Sequence, residues 1–317
     1  MTHTVGSGHR DPRMSLKIRA LRFIFRSFMR WRLEEITAPS YPVLLEYAIR
    51  PTPRYGVSRP SLDGFQQWLR AQSGDYSILL EQLKAFRDDL GRIPETAEDP
   101  DRGSPFWGNK YFTGIDAIAL YGLLGILQPR QILEVGSGNS TRYARRAIRD
   151  LGLNTRIVSI DPMPRVEVDA LCDEVVRSPL EDVDLSIFDS LVAGDVLFID
   201  NSHVVFENSD ATVTFLEVLP RLKPGITIHI HDIFLPYDYP ESWAKRHYSE
   251  QYLLAAYVLG GAAHLQPVLP VAYLSRESEF ASRIDADWSG SVFQRAFATN
   301  RGFTGGYPGT SMWLRTI

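Results

Sequence analysis

The chain has 317 residues, 44% of them hydrophobic and 23% charged, with a formal net charge of −4. This composition suits a soluble globular protein with a full core, and it excludes a general attraction to nucleic acid or to anionic membranes. The single cysteine, Cys172, excludes an intrachain disulfide and a thiolate metal cluster, and it fits a reducing, cytoplasmic setting. No run approaches about 18 consecutive apolar residues, so no spanning helix is predicted.

Met14–Ile36 sets Lys17, Arg19, Arg22, Arg26, Arg30 and Arg32 among Leu16, Ile18, Leu21, Phe23, Phe25 and Trp31. A helix of this kind can lie on a membrane surface or act as a transit peptide. Its apolar residues nearly encircle the axis, which favours packing against protein. Tyr41–Ile49, Leu62–Ala71 and Tyr76–Leu90 have helical apolar spacing and predict a small helical appendage. Pro53-Arg54-Tyr55-Gly56 reads as a turn between them, or as a binding element that reaches over the active site. Arg92–Gly108 concentrates Pro, Gly and acidic residues as a linker or cover loop, which divides the chain into 1–108 and 109–317.

Asp116–Leu127 is an apolar helix, preceded by Trp107, Tyr111 and Phe112 as core or as a pocket wall. Ile132, Leu133 and Val135 then predict a buried parallel strand. Gly136 and Gly138 follow where the backbone must turn and approach a ligand, and Thr141–Ile148 reads as a helix. Strand, glycine turn and helix start form a nucleotide cradle. The third glycine of a dinucleotide fingerprint would stand at Thr141. A second strand, Arg156–Asp161, ends in a carboxylate placed to bind ribose hydroxyls. Cys172 is read as filler. A third strand is predicted near Glu174–Arg177, and Glu181, Asp182 and Asp184 follow it.

Val196–Ile199 precedes Asp200-Asn-Ser-His203, and a helix over Asp210–Leu222 leads to Lys223-Pro-Gly225. Ile226–Asp232 is a fifth strand that again ends in a carboxylate. Neighbouring strands bring Asp200 and Asp232 together, and with His231 they suit a divalent cation such as Mg²⁺; the alternative is that they bind loops or substrate without metal. His203 titrates near neutrality and is the candidate general base. His229 is read as a core histidine. Tyr237, Tyr239 and His247, with Trp243, Glu250 and Gln251, are candidates for an acceptor pocket. A helix from about Lys245 to Leu259, a strand within Leu265–Leu274, an insertion over Glu277–Thr304 with one or two helices, and a final strand over Thr310–Thr316 complete the chain.

Glu134-Val-Gly136-Ser-Gly138 resembles motif I of the class I S-adenosylmethionine-dependent methyltransferases. Phe198-Ile-Asp-Asn-Ser-His203 resembles their motif IV, and Lys223-Pro-Gly225 and His231-Asp-Ile-Phe234 extend the likeness over residue 109 to the end. The pattern is similar to a bacterial-type group of small-molecule, natural-product or sugar O-methyltransferases. The resemblance implies a Rossmann-like doubly wound α/β sheet of seven strands, mostly parallel, with the last strand antiparallel between strands five and six. It implies S-adenosylmethionine held by Glu134, Gly136, Ser137, Gly138, Asp161 and Asp200, with Glu134 near the amino group of its methionine end. It also implies O-methylation of a small-molecule or glycosylated acceptor, with acidic metal ligands at the ends of strands four and five in the metal-dependent members. This chain departs at Ser140 for a frequent third glycine, at His203 for the lysine base, and at Ile233 for an asparagine. The alternatives are an NAD-dependent oxidoreductase, disfavoured by Thr141, and a non-catalytic cofactor-binding module that uses the basic N-terminal helix. A homo-oligomer stays open.

Overall fold

The short apolar runs form the centre of the sheet. β1 (Gln131–Val135), β4 (Val196–Ile199) and β5 (Thr227–Ile230) are buried at every position, so none needs a polar face. β1 runs parallel to β2 (Arg156–Ile160) on one side and to β4 on the other, with Leu133 in register with both Val158 and Leu197. β3 (Glu174–Val176) adds parallel to β2, and β5 adds parallel to β4. β7 (Met312–Thr316) enters antiparallel between β5 and β6 (Leu265–Pro270). The resulting order is β3-β2-β1-β4-β5-β7-β6, the doubly wound seven-stranded sheet expected from the resemblance. The chain leaves β1 for one edge and returns to β4 on its other side. That reversal opens a crevice beyond the carboxyl ends of β1 and β4, where α/β sheets bind ligands.

The computed structural model describes residues 49–57, 59–97 and 103–317, together with residues 21, 24, 46 and 47. The basic segment Met14–Ile36 apart from Leu21 and Ile24, and most of 41–49, lie outside the described residues. Residues 51–317 form one compact unit.

Seven helices matter to the packing: α1 (Asp63–Arg70), α2 (Ser73–Leu83), α3 (Ile115–Leu127), α4 (Asn139–Asp150), α5 (Glu250–Leu259), α6 (Ser278–Asp287) and α7 (Ser291–Thr304). α3 is buried continuously from Ile115 to Leu124, as befits a helix that is apolar all round. Gly122 and Gly125 set how closely its neighbours approach. A Cβ at Gly122 would collide with the Leu83 side chain, and one at Gly125 would collide with the Phe86 ring. Phe65, Leu69, Tyr76, Leu80 and Leu83 of α1 and α2 thereby join the same core as the strands. Burying each such side chain contributes about 1.5–3 kcal/mol.

Three helices differ from their sequence patterns. The helix expected over Tyr76–Leu90 is α2, a 3₁₀ turn at Lys84–Phe86, and a short helix at Arg87–Gly91. The helix expected from Lys245 starts only at Glu250, because His247 takes φ +55°, a left-handed conformation that no continuing α-helix holds. The Asp210–Leu222 helix carries a π turn at Thr214–Val218. No described helix is long and apolar enough to cross a membrane.

Candidate active site

The crevice begins at the turn after β1. Gly136 has φ +82°, and a Cβ there would collide with the carbonyl oxygen of Asp200. Only glycine permits this approach, which is fixed from both sides: Gly136 N donates to Ile160 O (2.9 Å), and Asp200 N donates to Val135 O (2.8 Å). Asp161, at the end of β2, accepts from Ser137 N (2.7 Å) and from Met163 N (2.7 Å), so one carboxylate anchors both loops. Gly138 differs from Gly136. Its backbone is extended, and a Cβ would meet only Val166, at 4.0 Å.

Around this turn lies a cavity of about 310 Å³, lined among others by Gly136, Ser137, Asp161, Glu181 and Asp200. Among the described residues, Arg165 is the one cation in its lining, against the carboxylates of Asp161, Glu181, Asp200 and Asp210. These residues fit an adenosyl sulfonium ligand: a glycine turn that keeps side chains out of the way, a carboxylate after the second strand, and an acidic lining that favours positive charge.

Glu134, expected near the methionine end of the cofactor, is not among the residues that line that cavity. Its side chain is 1% exposed, and its two oxygens accept from Ser140 Oγ and Thr141 Oγ1, each at 2.5 Å. Burial pushes its carboxyl up to about 8, against the lowering effect of those two hydroxyls. Glu134 clamps β1 to the first turn of α4.

Behind the cavity is a buried cluster of ionisable groups. Asp200 and Asp232 converge as the strand order requires, and both face His203 Nε2, from 3.2 and 3.7 Å. The other ring nitrogen, Nδ1, lies 3.0 Å from Glu250 Oε2. Glu250 is wholly buried at the start of α5 and also accepts from Asn201 Nδ2 (3.0 Å); Asn201 Oδ1 in turn accepts from His203 N (2.9 Å). His203 and Asp232 both take positive φ, +60° and +54°, a cost that the packed surroundings sustain. Thr310 Oγ1 donates to Asp232 Oδ1 (3.0 Å), while the Thr310 and Ser311 N–H groups donate to buried Asp116.

The charges follow from this geometry. Burial opposes protonation of His203, but hydrogen bonds to Asp200 and Glu250 and the charge of Asp232 hold its pKa well above the ordinary value. Burial would raise Asp200, yet His231 and His203 together hold it well below the usual carboxylate range. For Glu250 burial prevails over the bonds from His203 and Asn201, and its pKa is raised. Asp200 is the member that reaches the cavity, with 31% of its side chain exposed against 5% for His203.

The expected Mg²⁺ set of Asp200, Asp232 and His231 does not assemble. Among the described residues no three His, Cys, Asp or Glu side chains are grouped to hold a metal. His203 Nε2 occupies the place between the two carboxylates, and His231 directs Nε2 toward Asp232 Oδ1 from 3.6 Å rather than toward a shared centre. His229 sits in the core as expected: it stacks on Phe198 with centroids 3.8 Å apart, and its Nε2 bonds Ser311 Oγ (2.9 Å).

Of the acceptor candidates, Tyr237 and Tyr239 line a second cavity of about 390 Å³, together with the 53–57 turn. His247 lines neither cavity; it is exposed at the left-handed end of the 3₁₀ turn Glu241–Arg246. Its neighbours in sequence make Glu250 a candidate for the acceptor pocket. Its partnership with His203, 47 positions away, has no local signature.

Residues 133–233 match a family model described as a methyltransferase domain. The observed sheet order and glycine turn agree with that match and with the resemblance to class I S-adenosylmethionine-dependent methyltransferases carried by the sequence motifs. A comparison with curated proteins finds no match. Solved structures similar to the chain include the S-adenosylhomocysteine-bound Podospora anserina methyltransferase PaMTH1, 16% identical over 65% of this chain and 92% of that one, with a TM-score of 0.36. The plantazolicin methyltransferase BpumL with the same ligand is 14% identical over 80% and 99%, with a TM-score of 0.39. A cmcI structure with Mg and S-adenosylmethionine is 15% identical over 63% and 70%, with a TM-score of 0.34. Likenesses this distant say nothing of the acceptor.

Proposed function

We propose that this protein methylates a hydroxyl oxygen of a small-molecule or glycosylated acceptor, with His203 taking the proton. The observation that supports it most is the setting of His203 itself: Nδ1 on buried Glu250, and Nε2 directed at Asp200 where that carboxylate enters the cavity. Bound S-adenosylmethionine supplies an electrophilic methyl group, so the protein has mainly to align the acceptor and remove its proton. The roles follow from position. Gly136, Ser137 and Gly138 give the cofactor backbone close to its methionine end, and Asp161 accepts from the ribose hydroxyls. Asp200 orients the acceptor hydroxyl at the cavity edge. Its proton passes to His203 Nε2, and the imidazolium so formed is held between Asp200 and Glu250.

The acidic lining favours this over an NAD-dependent oxidoreductase, since among the described residues four carboxylates stand against one guanidinium and would repel a pyrophosphate. The proposed reaction routes no step through a divalent metal: His203 Nε2 stands between Asp200 and Asp232 and becomes positively charged there only once it has taken the acceptor proton.

The test is a pair of measurements. Calorimetric titration should show binding of S-adenosylmethionine and S-adenosylhomocysteine, and none of NAD. His203→Ala should lower turnover by roughly 10²–10⁴ while leaving affinity for S-adenosylhomocysteine nearly intact. Normal turnover of that variant at saturating acceptor would remove His203 from the role of base. Binding without turnover across acceptors would instead favour the interaction module.

A further inference from the structure

We propose that Arg165, held by Tyr111 at the mouth of the first cavity, takes the carboxylate of the cofactor's methionine end, and so makes the site selective for adenosyl ligands that carry that group. The inference rests on the cofactor assignment given above. Arg165 lines the cavity and is itself exposed, which sets it at the rim. Its neighbour Val166 is what a Cβ at Gly138 would meet, at 4.0 Å, so this stretch of chain passes over the glycine turn. That is the side of the cavity to which the methionine end is assigned.

The guanidinium is steadied from another loop. Its Cζ lies 5.3 Å from the centroid of the Tyr111 ring. The turn ahead of α3 is built to present that ring: Asn109 Oδ1 accepts from Tyr111 N (3.2 Å) and Phe112 N (2.8 Å), and Asn109 Nδ2 donates to Phe106 O (2.7 Å). The two adjacent side chains then part. Phe112 is 2% exposed and packs on Tyr143 and Phe198, whereas Tyr111 is 58% exposed and stands outside the core. A ring contact of this kind leaves the N–H donors of the guanidinium to a carboxylate, which can accept two of them in parallel.

The charge of the lining assigns the partner. S-adenosylmethionine carries a sulfonium, an ammonium and a single carboxylate. The two cationic groups suit a lining that holds Asp161, Glu181, Asp200 and Asp210, while the carboxylate is repelled by all four unless a cation stands beside it. Among the described residues of the lining, Arg165 is that cation. Arg177, another guanidinium near this loop, is already engaged: it donates to Asp161 O (2.8 Å) and pairs with Asp169. Lys110 adjoins Tyr111 in sequence and does not line the cavity.

Calorimetric titration of the full chain tests this, with S-adenosylhomocysteine and its decarboxylated analogue, which keeps the ammonium and lacks only the carboxylate. Arg165→Gln should weaken binding of S-adenosylhomocysteine by about tenfold and leave the analogue bound as tightly as by the wild type. Tyr111→Ala should weaken S-adenosylhomocysteine by about threefold, and Tyr111→Phe should not, since a phenyl ring still holds the cation. Lys110→Gln should change neither ligand. All three positions are exposed, so each variant should fold. Equal binding of S-adenosylhomocysteine by wild type and Arg165→Gln, or an equal loss for both ligands, would overturn the role of Arg165. A wild-type protein that bound neither ligand would overturn the cofactor assignment itself, and the inference with it.

Discussion

His203 Nδ1 and Glu250 Oε2 lie 3.0 Å apart in a place that excludes water, with Glu250 wholly buried. The bond sets which imidazole nitrogen faces Asp200 and the cavity. It also gives the proton, once taken, a counter-charge that solvent does not screen.

That pairing makes a prediction about pH. A base must be neutral to accept a proton, so turnover should rise with pH through the raised pKa of His203, above the ordinary histidine range. Glu250→Gln removes one of the groups that raise it, so the rising limb should move to lower pH while the plateau falls. The check is a pH profile of kcat at saturating acceptor. A limb that stayed in place would show that Glu250 does not act through His203.

Asp161 carries two backbone N–H bonds as well as its proposed ribose role. Asp161→Asn should weaken binding of S-adenosylhomocysteine by about tenfold or more, with a stability loss of about 1–2 kcal/mol from the disturbed loop bonds. Calorimetry and urea unfolding separate the two effects. Lost stability at unchanged affinity would leave Asp161 as a loop anchor only.

The two glycines of the turn should part company on substitution to alanine. Gly136→Ala places a Cβ against Asp200 O at positive φ, and should cost about 1–3 kcal/mol of backbone strain or more. Gly138→Ala has room in the protein and an extended backbone, so it should keep near-native stability and lose cofactor affinity. Native affinity in Gly138→Ala would mean that the cofactor does not approach the chain there.

Chelation is the simplest test of the charge arrangement. With His203 Nε2 between Asp200 and Asp232, treatment with EDTA should leave turnover unchanged. Loss of activity restored by Mg²⁺ would show that a cation replaces the imidazole in the working enzyme.

Much of this was legible in advance. The central strands are short apolar runs buried on both sides, so their local sequence is enough to reveal them, and their ends lead into carboxylates: Asp161 and Asp200, which line the crevice, and Asp232 behind it. The adjacency of Asp200 and Asp232 follows from strand order alone. Helix ends were harder to place. The start of α5 depends on His247 adopting a left-handed conformation, which nothing in the apolar spacing announces.

Side-chain partners were the least legible. Glu134 sits in the expected motif, yet its oxygens go to Ser140 and Thr141, because the packing of α4 on β1 buries it away from the cavity. The wall of the second cavity joins residues 53–57 to 237–242, and the base finds its carboxylate 47 positions downstream. Local backbone geometry and apolar pattern specify the strand cores, the glycine turn and the residues that end each strand. What each ionisable group faces is set by folding, because burial and distance fix charge, and both arise from elements far apart in the chain.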